Sequence, residues 1–308
     1  MRGTQRRSNL PPGGTAARHT RNCRVAALRT TTKGAIVPQA AGGRITPAQP
    51  SPDRTRPDQT WPDDALLLIA HGATRFADAG RLVHAHAAVL RARQVFADVA
   101  VGLLNGIPPA AEALSALAPR IVHVVPFFME QGWFVREAIP QALGDGHGHE
   151  LHYHQPVGVH PGLADLAAAR VQRTCGSGSE RFSVLLAGHG SARAPGRPMA
   201  LHRHAEALTA SGHFAQVRAA FLEEPPLLAD ALRAWRTLPV AMLGFFAGDG
   251  GHVREDLPAL LSADRAARGE AGAPLLDLGV IGDDPAMPEI ILDQVARDVP
   301  VPATPGGR

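Results

Sequence analysis

Cysteine is nearly missing from this 308-residue chain: Cys23 and Cys175 are its two examples, and no Cys-x-x-Cys occurs. That excludes a disulfide framework and a thiolate zinc site, and it points to a reducing, cytoplasmic compartment. No uninterrupted apolar run approaches the roughly 18 residues a membrane-spanning helix needs, so a soluble protein with no membrane partner is expected. No Gly-x-x-x-x-Gly-Lys-[Ser/Thr] stands anywhere, so no P-loop nucleotide site is expected. Acidic residues are scarce at one end. Residues 1–60 hold eleven Lys or Arg and two Asp, a net of +9, and the whole chain is +3, which leaves −6 for the remainder. The basic character thus belongs to the amino-terminal segment and makes no case for nucleic-acid binding by the body. That segment, 1–63, is rich in Arg, Pro, Gly, Thr and Ser without an apolar period, and is read as a disordered leader.

What the chain does have is an internal duplication. An offset of 118 residues lays His71-Gly72 on His189-Gly190, His84 and His86 on His202 and His204, and Phe127-Phe128 on Phe245-Phe246. The same offset lays Gly132-Trp133-Phe134-Val135-Arg136-Glu137 on Gly250-Gly251-His252-Val253-Arg254-Glu255. A period this long is no solenoid repeat. It means two copies of one small domain, expected at 64–165 and 180–298, with a monomer carrying an internal pseudo-dyad as the natural assembly.

Each copy alternates short apolar runs with longer amphipathic segments. Strands are expected at 65–70, 99–104 and 121–125, and again at 184–187, 217–222 and 240–245. Helices are expected at 81–96, 109–118, 199–214 and 226–238. Strands alternating with helices imply parallel sheets of βαβ units. The fold class is therefore α/β, with two tandem doubly wound, flavodoxin-like domains, each a small parallel sheet flanked by helices. Ligand sites in such sheets lie at the carboxyl ends of the strands. His71, Phe134, His189 and His252 all lie just past an expected strand end.

The two copies differ where it matters. His189 and His252, on different strands of one sheet, form a candidate pair. The first copy has His71 but Phe134 in place of the second histidine, and Asn105 where the second copy has Glu223. An imidazole pair with a carboxylate and no thiolate suits a borderline divalent ion, with positions left open for substrate. The His-x-His pairs at 84/86 and 202/204 have i, i+2 spacing on helices, cannot converge on one ion, and are read as surface or packing residues. The tract 144–154, with His147, His149, His152 and His154, reads either as a metal-collecting segment or as a loop running into a strand with alternate histidines facing solvent.

Ala-Gly-His189-Gly-Ser191, Ala220-Phe-Leu-Glu223-Glu-Pro-Pro and Gly-Phe-Phe-Ala-Gly-Asp-Gly-Gly-His252-Val-Arg-Glu-Asp-Leu-Pro258 resemble the sirohydrochlorin chelatases of the CbiX/SirB type, the class II chelatases. The resemblance covers both copies from about Ala65 to Val295 and excludes the leader. It implies nucleotide-independent insertion of Co2+ or Fe2+, as substrate, into sirohydrochlorin or a related tetrapyrrole on the way to cobalamin or siroheme. On it, His189 and His252 hold the metal and accept pyrrole protons, and Glu223 is the motif carboxylate. Arg254 and Arg193 are candidates to pair with substrate carboxylates. The first copy departs from the pattern. It is expected to have lost metallation and to form one wall of a shared cleft, with Trp133 and Phe134 facing the macrocycle. A contact of His71 with the metal stays open. A non-catalytic metal or tetrapyrrole carrier on the same scaffold remains an alternative. So does, more remotely, a histidine phosphatase, although Ala70 and Gly188 stand where that chemistry needs an arginine.

Overall fold

In the computed structural model, residues 60–73, 75, 78, 80–191 and 199–297 are described. The leader from 1 to 59, and with it most of the expected disordered segment, lies outside the described residues, as does Arg193. The first copy contains β1 (Trp61–Gly72), α1 (Arg81–Arg93), β2 (Phe96–Asn105), α2 (Ala110–Ser115), β3 (Ile121–Pro126), α3 (Ile139–Leu143), β4 (Glu150–Tyr153) and α4 (Gly162–Cys175). The second contains β5 (Ser183–Gly188), α5 (Met199–Ala210), β6 (Gln216–Phe221), α6 (Leu228–Ala234), β7 (Val240–Gly244), α7 (Leu257–Arg268), β8 (Leu275–Val280) and α8 (Met287–Ala296). None of the described helices is long and apolar enough to cross a membrane.

Two parallel four-stranded sheets result, in the orders β2-β1-β3-β4 and β6-β5-β7-β8. The central strands read as continuous apolar runs because helices cover both faces: Ala65 to Ile69 and Val184 to Ala187 are fully buried. In each sheet the winding reverses beside the first strand, which places the crevice for a ligand at the carboxyl ends of β1 and of β5.

Three expectations about boundaries are corrected. β1 begins at Trp61, inside the segment assigned to the leader. Helix α1 stops at Arg93 and not at Phe96. Gln94 turns left-handed at φ 54°, and Phe96 opens β2 with its ring stacked on Trp61 at 4.9 Å. The third concerns the end of the first copy, where α4 runs unbroken through residue 165 to Cys175.

The copies are also not separate bodies. Helix α4, the last of the first copy, packs on α5 and β8 of the second, and α8 packs on α1 and β3 of the first. Each copy thus hands its final helix to the other. One apolar core joins Leu66, Leu68 and Leu90 with Leu201, Leu208 and Ile291. The exchange is tied by reciprocal polar contacts. His160 bonds Asp293 on α8 at 2.7 Å, and Asp284, at the position corresponding to His160, pairs with Arg173 on α4 at 2.9 Å. His86 donates from Nε2 to the Gly282 carbonyl, and His204 donates from Nε2 to the Gly158 carbonyl, both at 2.8 Å. A side chain could not replace either glycine: a Cβ at Gly158 would lie 2.1 Å from the Met129 backbone, and one at Gly282 would lie 2.4 Å from the Ala247 carbonyl. The second histidine of each His-x-His pair is therefore a buried packing residue, as one of the two sequence readings had it.

Burial holds both His86 and His204 below the ordinary value of 6.5, against the upward pull of their carbonyl bonds. The sign follows. Below about pH 6.5 the unfolded chain takes up protons that the folded chain refuses, so their contribution to stability is whole above 6.5 and is lost as pH falls toward the folded values. Glu130 has the opposite trend, since burial raises it to about 7. The histidine effect is therefore read as a difference between proteins. His204→Ala should lower stability at pH 7.5 by about 1–3 kcal/mol, because the Gly158 carbonyl loses its donor in a buried place. That deficit should shrink at pH 5.5. Urea unfolding of both proteins at the two pH values checks it.

Candidate metal centre

The second copy brings three chemistry-bearing residues to the ends of three neighbouring strands. His189 follows β5, Glu223 follows β6 and His252 lies in the connection after β7. His189 leaves its strand through Gly190 at φ +74°, where a Cβ would meet Glu224 Cγ at 2.8 Å and Phe221 Cβ at 2.9 Å. This close approach folds the Gly190 carbonyl back to 2.7 Å from His189 Nδ1. A carbonyl can only accept, so Nδ1 carries the proton and Nε2 of the neutral ring carries the lone pair. His252 opens a π-helical turn, His252–Asp256. Such widened turns are frequent at functional sites, and this one sets Asp256 Oδ2 2.6 Å from His252 Nδ1. A carboxylate fixes the tautomer of the neutral ring in the same sense, with Nδ1 the donor and Nε2 the nitrogen that carries the lone pair.

The two Nε2 atoms lie 2.8 Å apart, with the rings edge to face at 4.3 Å between centroids. In the neutral tautomers set by the Nδ1 partners, two lone pairs face each other at this distance, an arrangement that a proton or a metal ion between them relieves. A tetrahedral ion with metal–nitrogen distances near 2.05 Å would set them roughly 3.3 Å apart, so a shift of about half an ångström accommodates it. Glu223 Oε2 stands 3.8 Å from His189 Nδ1. Among the described residues, His189, Glu223 and His252 form the one group of three ligating side chains whose donor atoms all lie within 4.8 Å of one another. They remain partly exposed, which leaves a face for substrate.

The first copy reproduces the frame without the chelate. His71 Nδ1 donates to the Gly72 carbonyl at 2.8 Å, and the Phe134 ring stands edge to face to His71 at 4.6 Å and 82°. Those values match the 4.3 Å and 87° of the histidine pair. Phe134 thus occupies the place of His252, backed by Phe128 at 6.1 Å. Trp133 is 61% exposed and Phe134 38%. Between the copies lies a cleft of about 440 Å³ whose lining includes His71, Ala73 and Asn105 from one side and Gly251, His252 and Asp256 from the other.

The sequence reading offered Arg254 to a substrate carboxylate, and the structure gives it protein carboxylates as partners. Its guanidinium reaches Asp249 and, in the first copy, Asp78, each at 2.9 Å, and these carboxylates push its pKa further up. Arg81 joins the same Asp249 at 3.0 Å, and Arg75 reaches Glu255 at 3.1 Å. Arg254 therefore clamps the two copies across the cleft rim. Arg193 lies outside the described residues. The His-rich tract does not converge: His147 is exposed, His149 bonds the Pro119 carbonyl, His152 bonds Glu150, and His154 is buried against His123. Its histidines are those of a loop entering a strand, β4, although three of them are partnered rather than simply solvent-facing.

Sequence reasoning missed Asp256 and the Asp78–Arg254–Asp249 clamp. The first was within reach, since Asp256 stands four residues after His252. The second depends on a contact between copies that no local pattern announces. Asp256→Asn should weaken metal binding about 10–100-fold, the usual cost of losing the outer partner of a ligating histidine. Equilibrium titration with Co2+ measures it.

The geometry can be set beside known proteins. The CbiX family model matches residues 65–174 and 183–298. A protein of Halobacterium salinarum described as a probable sirohydrochlorin cobaltochelatase is 24% identical over 264 residues, 75% of this chain and 90% of that one. The structure of CbiX, described as the terminal enzyme for biosynthesis of siroheme in denitrifying bacteria, superimposes with a TM-score of 0.57 at 28% identity. That match covers 76% of this chain and 99% of the other. A multi-domain protein of Deinococcus radiodurans, with structural similarity to chelatases and two additional domains, gives 0.64 at 28% identity over 76% of this chain. The present chain spans about half its length, 54%.

Proposed function

The chain belongs to the CbiX family, and we propose from that premise that it inserts a divalent metal ion into sirohydrochlorin or a closely related tetrapyrrole without a nucleotide. The observation that carries the reading is the pair of Nε2 atoms 2.8 Å apart, each ring held through its own Nδ1, with Glu223 beside them. His189, Glu223 and His252 hold the ion as substrate, loosely and on an open face, and pass it to four ring nitrogens. Insertion replaces two pyrrole N–H protons with one M2+, so the site needs ligands that release as well as bind. Partly exposed imidazole meets that need. The names of the relatives point to different metals, cobalt for the Halobacterium protein and, through siroheme, iron for CbiX. Both Co2+ and Fe2+ suit two imidazoles and a carboxylate, and supply in the cell decides between them.

The first copy holds the macrocycle. Trp133 and Phe134 present exposed aromatic surface at the end of the sheet whose His71 lines the cleft. Phe134→Ala should weaken tetrapyrrole binding about tenfold, from lost ring contact and apolar burial, and leave Co2+ affinity unchanged. Fluorescence titration with the macrocycle, beside metal titration, separates the two. An equal loss of both would remove the wall.

The test of the reading is anaerobic metallation with sirohydrochlorin in large excess over protein, with Co2+, Fe2+ and Ni2+ in parallel. Many turnovers per chain are expected. One equivalent metallated and then no more would identify a carrier built on the same scaffold.

A further inference from the structure

His71 has kept its place and its glycine-carbonyl bond, while the two side chains that complete the chelate around its counterpart have been replaced, and this isolates one chemical property. Its Nδ1–H is committed to the Gly72 carbonyl at 2.8 Å, as His189 Nδ1–H is to Gly190. Its Nε2 is thereby the lone-pair nitrogen. In the second copy that nitrogen meets another Nε2 and a neighbouring carboxylate, and together they make a chelate. In the first it meets the edge-to-face ring of Phe134, and Asn105 stands where Glu223 would. One imidazole beside an aromatic ring and a neutral amide is a poor seat for a divalent ion, which wants three or four donors. As a proton acceptor it lacks nothing. It is exposed, its tautomer is fixed, and it lines the same cleft as His252 from the other side.

We infer that His71 is the base that takes a pyrrole proton from the face of the macrocycle turned away from the metal. The inference rests on the chelatase reading and divides its labour between the copies. An M2+ ion approaching the ring from His189 and His252 repels the N–H protons, so they depart most readily on the opposite face. One N–H bond breaks as its proton passes to His71 Nε2, giving the imidazolium, and the second proton goes to water in the open cleft. The two nitrogen electron pairs so released bind the ion, and no electron changes owner. This accounts for the selective loss in the first copy. Phe134 and Asn105 remove metal binding there, and His71 stays because a base is still needed. Phe134 also keeps a second ion from occupying the base.

The test compares the wild type with His71→Ala and His71→Gln in steady-state insertion of Co2+ into sirohydrochlorin in a non-coordinating buffer. Glutamine can still donate to the Gly72 carbonyl but is no base at neutral pH. Both variants should lose about 10²-fold in kcat, the usual share of a positioned base. Co2+ affinity and macrocycle affinity should not change, and the rate of both variants should rise with the concentration of buffer base. Unchanged kcat in a wild type that turns over, full rescue by Gln, or Co2+ affinity falling in step with kcat would each overturn the assignment and leave the chelatase reading standing. Absence of insertion in the wild type itself would remove both.

Discussion

Removing residues 287–308 is expected to unfold the first copy together with the second. Helix α8 belongs to the second copy by sequence, but Met287, Ile290, Ile291 and Val295 are buried in the core that also holds Leu66, Leu68, Val83 and Leu90 of the first. Full burial of an aliphatic side chain contributes about 1.5–3 kcal/mol. Four of them supply roughly 6–12 kcal/mol, as much as the whole net stability of a typical domain, about 5–15 kcal/mol. The truncation would also strip His160 of Asp293, taking away the carboxylate that this buried imidazole bonds at 2.7 Å. Circular dichroism should show loss of the cooperative thermal transition over the entire chain. Survival of a transition with about half the amplitude would mean that the first copy folds alone and that the exchanged helix is an ornament on an independent domain.

His252→Ala is expected to lower Co2+ affinity by more than the 10–100-fold that loss of an outer partner such as Asp256 costs, since it removes a donor atom itself. The fold should be intact, because His252 sits partly exposed at the cleft and its turn is continued by α7. His189→Ala should have the same effect for the same reason. The decisive contrast is with His71→Ala, which should leave Co2+ affinity alone. A loss of affinity in all three would place the ion between the copies, touching both walls, rather than within the second.

Much of this was legible in the sequence, for an identifiable reason. The central strands are continuous apolar runs such as Leu66-Leu67-Leu68-Ile69, and residues just past their ends are forced to the crevice, so His189, Glu223 and His252 could be named before any contact was known. What escaped falls into two physical classes. Elements with a diluted apolar signal were missed. β8 carries Asp277 and Gly279 in an edge strand exposed on alternate residues, and α4 has only Leu163, Leu166 and Val171 as large buried apolar groups among its 14 residues. Partner choice was the other class. Sequence pattern cannot show against which copy α4 and α8 pack, nor that Arg254 would pair with Asp249 and Asp78. The duplication held one further clue. The offset of 118 has grown to 124 by Gly158 and Gly282, because α7 is a longer helix than α3, and only past that point do the paired glycines at the exchange line up.

The measurement that tests the account most directly is the initial rate of anaerobic Co2+ insertion into excess sirohydrochlorin, followed by absorbance, for the wild type and for His252→Ala at equal concentration. The account predicts multiple turnovers by the wild type and, for the variant, a rate no faster than the spontaneous reaction. A wild type that does not exceed the spontaneous rate, or a variant that keeps it, would contradict a chelatase working from the histidine pair of the second copy.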